Sequence, residues 1–435
     1  MRVPRIVKGT YQWLPPMIDL TRPIMAQYPD ENAGPPYSIQ ARQWAEWDTA
    51  RFVLLCEPRF ETLFALLETN SANFLRPFSL EQAQREHRAF RQCLEAKGVT
   101  VMDAREALSY GISQGPSPEA LARLQNWALQ SVCYDTSALS AADAPLLAEN
   151  LRRTIEVFDP SSLVDLILLR PRLSITYNPQ ALDSTSRFIS RFEVSPLSNL
   201  YYMRDPMITT QRGCVIGRLR LEVRRGENHI AQLLLGQLGI TPLYRVQAPG
   251  FLEGGDFLPA GDFVLQGQGL LSDEDGVGQC LEHRVYGPVE VAVVKDPRSQ
   301  MDEMHLDTYF GLLGPNLCAL CEDRLGGEQE PVVDVYRPHG GELDFRYRLV
   351  KTLGFAAYLA EKGMQVITFS KEEQSHFAAN SLLIAPYHLI GVQQAGLAYE
   401  DRLRQHQVQT RFIPFKALSG GYGGPHCASQ VLLRA

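Results

Sequence analysis

The apolar and polar positions of the chain follow two alternating periods. Short aliphatic and β-branched runs recur at residues 52–56, 166–169, 214–216, 263–265, 289–294, 317–321, 366–369 and 382–392, each of a length that suits a buried strand. Between several of them the spacing becomes helical. In residues 227–238 Ile230, Leu233, Leu234 and Leu238 share one face, and residues 345–362 predict another helix, which Gly363 stops. Short strands alternating with short helices through the second half predict an α/β or α+β fold.

One stretch breaks the pattern. Residues 79–157 read as helices at 80–97, 117–131 and 141–157, each beginning near a Ser, Asp or Pro, as helix starts do. This is the pattern of a helical insertion in a strand-rich fold. The sequence shows no low-complexity tract, linker or obvious repeat.

Composition narrows the class. The 435 residues suit two domains or one large fold with an insertion. Hydrophobic residues make up 45% and charged residues 21%, which predicts a soluble globular protein with a large core. A net charge of −7 argues against nucleic acid as a partner. No apolar run reaches membrane-spanning length, and residues 1–16 hold no leader-like apolar run. Eight scattered cysteines, several inside strand-like runs, predict reduced thiols and a cytoplasmic setting. Cys318 and Cys321 form one CxxC without a second pair, so they are expected to be structural, not metal ligands. His87, His339, His376 and His406 lie in polar surroundings and are expected at the surface.

Four stretches carry candidate chemistry. Cys427 ends the run Gly420-Gly421-Tyr422-Gly423-Gly424-Pro425-His426, where glycines let the backbone approach a ligand. A turn before a last strand with a passive thiol is the competing reading. His305 and Asp307 are two apart, so an extended segment would point both into one pocket, and a carboxylate raises a nearby histidine's pKa. A satisfied surface pair is the plainer alternative. Glu253 and Asp256 flank Gly254-Gly255 and can converge on a cation, though acidic glycine turns are common. Asn199-Leu200-Tyr201-Tyr202-Met203-Arg204-Asp205 offers an aromatic approach to an acid, or simply a turn.

Together they meet one demand. A guanidinium carbon is a poor electrophile. Attack on it needs carboxylates that grip the N–H groups, a thiolate, a proton donor for the leaving amine and a base for water. Asp205, Glu253, Asp256, His305, Asp307 and Cys427 supply these, and no metal or organic cofactor is demanded.

The ordered set NLYYMRD, RRGE, LEGGD, MHLDT and GGYGGPHC resembles the arginine deiminase branch of the guanidino-group modifying (pentein) superfamily, from about Phe52 to the C-terminus. The resemblance implies an α+β (α/β propeller) fold: a single catalytic domain of five ββαβ units over residues 1–435, with the insertion at 79–157. It implies that Cys427 attacks, His305 protonates the leaving ammonia and Glu253 supports His305. Asp205 and Asp307 would grip the guanidinium, and Asp256 would line the substrate stem. Asn199 and Tyr202 would hold or cover the amino-acid end, and Arg224 would bind its carboxylate. Two arginines common in the family are replaced here by Leu271 and Tyr422.

The expected reaction converts a guanidino compound, L-arginine or a close relative, to a ureido product and ammonia through a thiouronium on Cys427. Amidine transfer to an amine, which the His426-Cys427 pair also suits, and dihydrolysis to ornithine are alternatives. A guanidine-binding protein without catalysis is the alternative of another class. The expected partner is a small guanidino molecule, not nucleic acid or membrane, and a homo-oligomer is left open.

Overall fold

The computed structural model describes residues 39–112, 117–141, 143–178, 180, 188–341 and 344–435. Residues 1–16, read above as lacking a leader-like run, lie outside the described residues.

One topology recurs five times. Met207–Thr210 pairs antiparallel with Gly213–Ile216, the helix Glu227–Gln237 follows, and Tyr244–Arg245 returns parallel to the second strand. Phe257–Pro259, Phe263–Gln268, the helix Glu274–Glu282 and Glu290–Lys295 repeat the arrangement. So do Phe310–Gly314, Leu317–Cys321, the helix Phe355–Glu361 and Gln365–Phe369. Leu382–Ala385, His388–Val392, the helix Leu397–Gln405 and Gln409–Ile413 form the fourth unit. The fifth joins the two ends of the fold. Gln430–Arg434 pairs antiparallel with Ala50–Leu55, and after the helix Leu80–Glu95 the strand Thr100–Asp103 returns parallel.

The repeat is mixed α+β, and burial explains its pattern of runs. In each unit the second strand is flanked on both sides within its sheet, so it reads as a continuous apolar run. Val53, Leu54 and Leu55 are fully buried, as are Leu265, Leu320 and Ile390. The largest core cluster joins residues of the second to fifth units and also contains Tyr201, Tyr202, Leu306 and Cys427. The candidate nucleophile is therefore part of the main core.

Several expectations change. Residues 166–169 are the end of the helix Pro160–Leu169, which Asp159 caps by accepting from the Ser162 N–H. A four-residue apolar run does not by itself separate strand from helix. Residues 345–362 are half strand. Asp344–Gly354 pairs with Val332–Gly341, and only Phe355–Glu361 is helical. Phe345, Tyr347 and Leu349 alternate with Arg346 and Arg348, a period of two that points to a strand. Residues 382–392 split into a hairpin about Pro386 and Tyr387.

The stretch expected to be helical from residue 79 begins with the helix and strand that complete the fifth unit. The departure from the repeat follows Asp103. It carries the helices Pro118–Ser131, Asp143–Glu156 and Pro160–Leu169, and a sheet of Cys133–Asp135, Pro171–Tyr177 and Phe188–Val194. His339 and His376 are exposed as expected, and His406 is partly so. His87 is 2% exposed, because the helix Leu80–Glu95 turns it inward beside Phe90. Cys318 and Cys321 are buried free thiols in a strand.

Candidate active site

The segment ahead of each unit's first strand carries the polar side chains. Asn199, Tyr202 and Asp205 precede Met207–Thr210, and Glu253 and Asp256 precede Phe257–Pro259. His305 and Asp307 precede Phe310–Gly314, and Cys427 precedes Gln430–Arg434. All eight are at most 4% exposed. Glycine is required where these segments touch. A Cβ on Gly255 would lie 2.6 Å from His305 Nδ1, and one on Gly424 would collide with the Asn380 carbonyl.

His305 lies among acids. Its Nε2 is 3.1 Å from Glu253 Oε2, and its Nδ1 is 3.9 Å from Asp205 Oδ1. Burial alone would push the imidazole toward its neutral form. The hydrogen bond to Glu253 and the charges of Asp205, Asp256 and Glu253 outweigh that and hold its pKa up at about 10. His305 is thus an imidazolium at neutral pH. Glu253 is braced in turn, since its Oε1 accepts from the Arg220 N–H at 2.9 Å.

Cys427 also neighbours acids. Its Sγ is 3.4 Å from Asp307 Oδ2 and accepts from Asn380 Nδ2 at 3.0 Å. Burial, together with Asp307 and Asp205, pushes the thiol well above its ordinary value. His426 Nδ1 lies 2.7 Å from Asp307 Oδ2. Burial alone would raise the Asp307 pKa, but the His426 hydrogen bond, with His305 and Arg204 nearby, brings it below the usual range. Asp256 accepts the Leu306 N–H at 2.9 Å, and burial raises its pKa to about 6.

Three carboxylate oxygens in this cluster, Asp205 Oδ1, Asp256 Oδ2 and Asp307 Oδ1, are buried and accept no hydrogen bond. Buried acceptors are normally paired, and three on convergent carboxylates suit a ligand with several N–H donors and a positive charge. Asp205, Glu253 and His305 bring ligand atoms within 4.8 Å of one another, a spacing a metal also accepts. A metal there would have to displace the proton that the acids favour on His305.

The residues expected at the amino-acid end meet protein groups in the structure. Tyr202 accepts the Gly423 N–H at 2.9 Å and donates to the Leu418 carbonyl at 2.7 Å, so it clasps the glycine loop. Asn199 Nδ2 donates to the Ala72 carbonyl at 2.8 Å, while its Oδ1 is buried and unpaired. Arg224, assigned by resemblance to a substrate carboxylate, lies on protein carboxylates instead. It meets Asp205 Oδ2 at 2.6 Å and Glu227 at 3.1 and 2.8 Å. Glu227, three residues on from Arg224, competes for its donors, and the RRGE string already contained that signal. Leu271 is buried beside Ser272, whose Oγ accepts the Glu253 N–H at 3.0 Å. Tyr422 is partly exposed with a positive φ of 77°. Asn380, which touches Cys427 Sγ, had no role in the sequence analysis, and His426, named there only as half of the His426-Cys427 pair, meets Asp307.

The family model for arginine deiminase matches residues 73–434. The chain is similar to the arginine deiminase of Halobacterium salinarum, 23% identical over 91% of this chain and 97% of that protein. It is also similar to that of Clostridium perfringens, 25% identical over 82% of this chain and 88% of that protein. Among solved structures it resembles the DDAH of Pseudomonas aeruginosa complexed with citrulline, with a TM-score of 0.52 and 14% identity over 89% of this chain and all of that one. SxtG, an amidinotransferase of Microseira wollei, has a TM-score of 0.52 at 11% identity over 91% of this chain and 97% of that one. At these identities the structural likeness shows the fold alone.

Proposed function

Because the chain belongs to the arginine deiminase family, we propose that Cys427 and His305 are its nucleophile and general acid/base, with Asp205, Glu253, Asp256 and Asp307 as the acids that bind and orient the substrate. The protein is a hydrolase of guanidino C–N bonds, converting arginine or a close relative to the ureido product and ammonia. The observation that carries the residue assignment is the set of three unpaired buried carboxylate oxygens on acids that neighbour a thiol and an imidazolium. A guanidinium offers five N–H donors in a plane, and its charge offsets the acids.

In this reading the substrate prepares its own nucleophile. Asp307 and Asp205 hold the proton on Cys427 in the free protein. A guanidinium bound to both carboxylates removes that bias and favours the thiolate. The thiol proton passes to solvent, the sulfur adds to the guanidinium carbon, and His305 gives its proton to the departing nitrogen, which leaves as ammonia. Neutral His305 next takes a proton from water as the water attacks the thiouronium carbon. The C–S bond breaks, and the ureido product leaves with the thiol restored.

For the substrate's acid end we propose Arg218, Arg220 and Arg225. Their guanidinium carbons lie 4.2, 5.0 and 5.8 Å from the centre of the Phe251 ring. The Arg220 backbone N–H donates to Glu253 Oε1 at 2.9 Å, which sets this segment beside the site. We read the five repeated sheets as blades of one propeller around the site, forming a single catalytic domain with its insertion after Asp103. Among the described residues no helix is long and apolar enough to cross a membrane. We place the protein in the cytoplasm, acting on small molecules without nucleic acid or membrane, with room for a homo-oligomer.

The test is incubation with arginine, agmatine and other guanidino compounds, with ammonia, ureido product, ornithine and transferred amidine read by mass spectrometry. Ureido product and ammonia in equal amounts support hydrolysis. Amidine on an added amine supports transfer, and ornithine supports dihydrolysis. No product with any compound would leave a binding protein.

A further inference from the structure

Four of the five units place a sequence-predicted site residue ahead of their first strand. The remaining unit, which begins at Leu382–Ala385, places Asn380 there. Asn380 is fully buried. Its Oδ1 accepts the backbone N–H groups of Gly424 at 2.7 Å and Cys427 at 3.1 Å. Two backbone donors converging on one atom require it to be the amide oxygen, so the amide orientation is fixed and the other end is the NH2. That nitrogen donates to Cys427 Sγ at 3.0 Å and to the Asp307 carbonyl at 3.3 Å. One side chain therefore ties the nucleophile's loop to the turn that carries a substrate-gripping acid.

Asn380 also differs in electrostatic sense from its neighbours. The groups that act on the sulfur include Asp307, at 3.4 Å, and Asp205, both of which favour the neutral thiol. The buried phenols Tyr201 and Tyr202 lie nearby, His305 stands among the acids, and His426 is spent on Asp307. Arg204 approaches the Cys427 backbone, its N–H donating to the Cys427 carbonyl at 3.1 Å. The N–H of Asn380 is directed at the sulfur itself, and a donor to the charged form favours that form.

We propose that Asn380 is a catalytic residue, whose amide N–H stabilises and aims the Cys427 thiolate while its amide oxygen fixes the nucleophile's loop. When the free protein loses the thiol proton to water, the electron pair stays on Sγ, where the Asn380 hydrogen bond holds it. The inference rests on Cys427 being the nucleophile, but its test reads the thiol directly and does not require turnover.

The experiment follows the pH dependence of Cys427 alkylation by iodoacetamide, resolved from the other thiols by peptide mass, in the parent protein and in Asn380→Leu and Asn380→Asp. Leu adds no charge, so a shift there is not a charge effect. Asp keeps an acceptor for both backbone N–H groups, so a shift there is not a loosened loop. The expected result is a midpoint higher by about one unit or more in both variants. The kcat should fall on the order of tenfold or more, with KM changed by about twofold or less. Circular dichroism checks the fold, and Asn380→Ala replaces a Leu variant that does not fold. An unmoved midpoint in the folded neutral variant, or a parent-like midpoint and kcat in Asn380→Asp, overturns the proposal. Ammonia release that survives Cys427→Ser would instead overturn the functional reading and leave the thiol titration standing.

Discussion

The two halves of the site bury their reactive groups equally and treat them in opposite ways. His305 and Cys427 are 2% and 4% exposed. Around His305 the acids defeat burial and keep a proton on the ring, whereas around Cys427 the acids add to burial and keep a proton on the sulfur. The carboxylates thus favour the protonated form of both groups. In the proposed mechanism this is the working state of the acid and the resting state of the nucleophile, which a bound cation would release. That contrast would let a buried thiol react with guanidinium while it stays protected from other electrophiles.

The strongest way to break the contrast is to remove the sulfur. Cys427→Ala should lower turnover on the order of a thousandfold or more while the fold persists. Ammonia assays and circular dichroism check both parts, and near-normal turnover would end the covalent mechanism. Next is the proton side. Glu253→Gln removes the charge, and weakens the hydrogen bond, that support the His305 proton. A loss of ~100-fold in kcat/KM is expected.

The pH dependence sharpens the same point. The raised pKa keeps His305 protonated through neutral pH, so the acid form is lost only as pH rises through about 10. The same proton stabilises the fold below the ordinary histidine value near 6.5, and that contribution disappears as pH rises through about 10. In Glu253→Gln the His305 titration, followed by NMR of the ring protons, should move down. An unchanged midpoint would mean that Glu253 does not govern this proton.

Smaller effects concern the acid end of the substrate. Arg218→Ala and Arg225→Ala should narrow the preference for arginine over agmatine by roughly ten- to a hundredfold if the Phe251 cluster holds a carboxylate. Equal losses on both substrates would assign the cluster a structural role. The smallest expected effect is that of Leu271→Arg, a shift toward arginine of about tenfold or less. Leu271 is 1% exposed, and its neighbour Ser272 holds Glu253. A fall in turnover without a selectivity change would show that the new side chain disturbs the acid pair instead of meeting substrate.

Much of this was legible in the sequence, for identifiable reasons. Acids beside glycines, a histidine two residues from an acid and a cysteine after a glycine loop are local patterns, and in the structure each lies just ahead of one unit's first strand. The repeat itself was hidden. Its units share strand pairing, not residues, and the fifth is assembled from the two ends of the fold, Ala50–Leu55 and Gln430–Arg434. Asn380 was missed because Ala378-Ala379-Asn380-Ser381 resembles any turn, and only the position ahead of a unit's first strand marks it. The protein partners of Arg224 were not legible, because motif matching names a residue without its neighbours. Glu227 and Asp205 bind its guanidinium in the folded chain. The strand at Asp344–Gly354 was misread because apolar positions near the helical period outweighed a shorter alternation.

The account stands on covalent attack by one of eight cysteines, and that can be observed directly. The protein is mixed with arginine, quenched in acid within a turnover and digested, and the mass of the Cys427 peptide is measured. The account predicts an adduct on that peptide with the mass of the thiouronium, arginine added less ammonia, absent from the other cysteine peptides and from Cys427→Ala. An unmodified Cys427 peptide during steady ammonia release, together with a Cys427→Ala variant that still turns over, would contradict it.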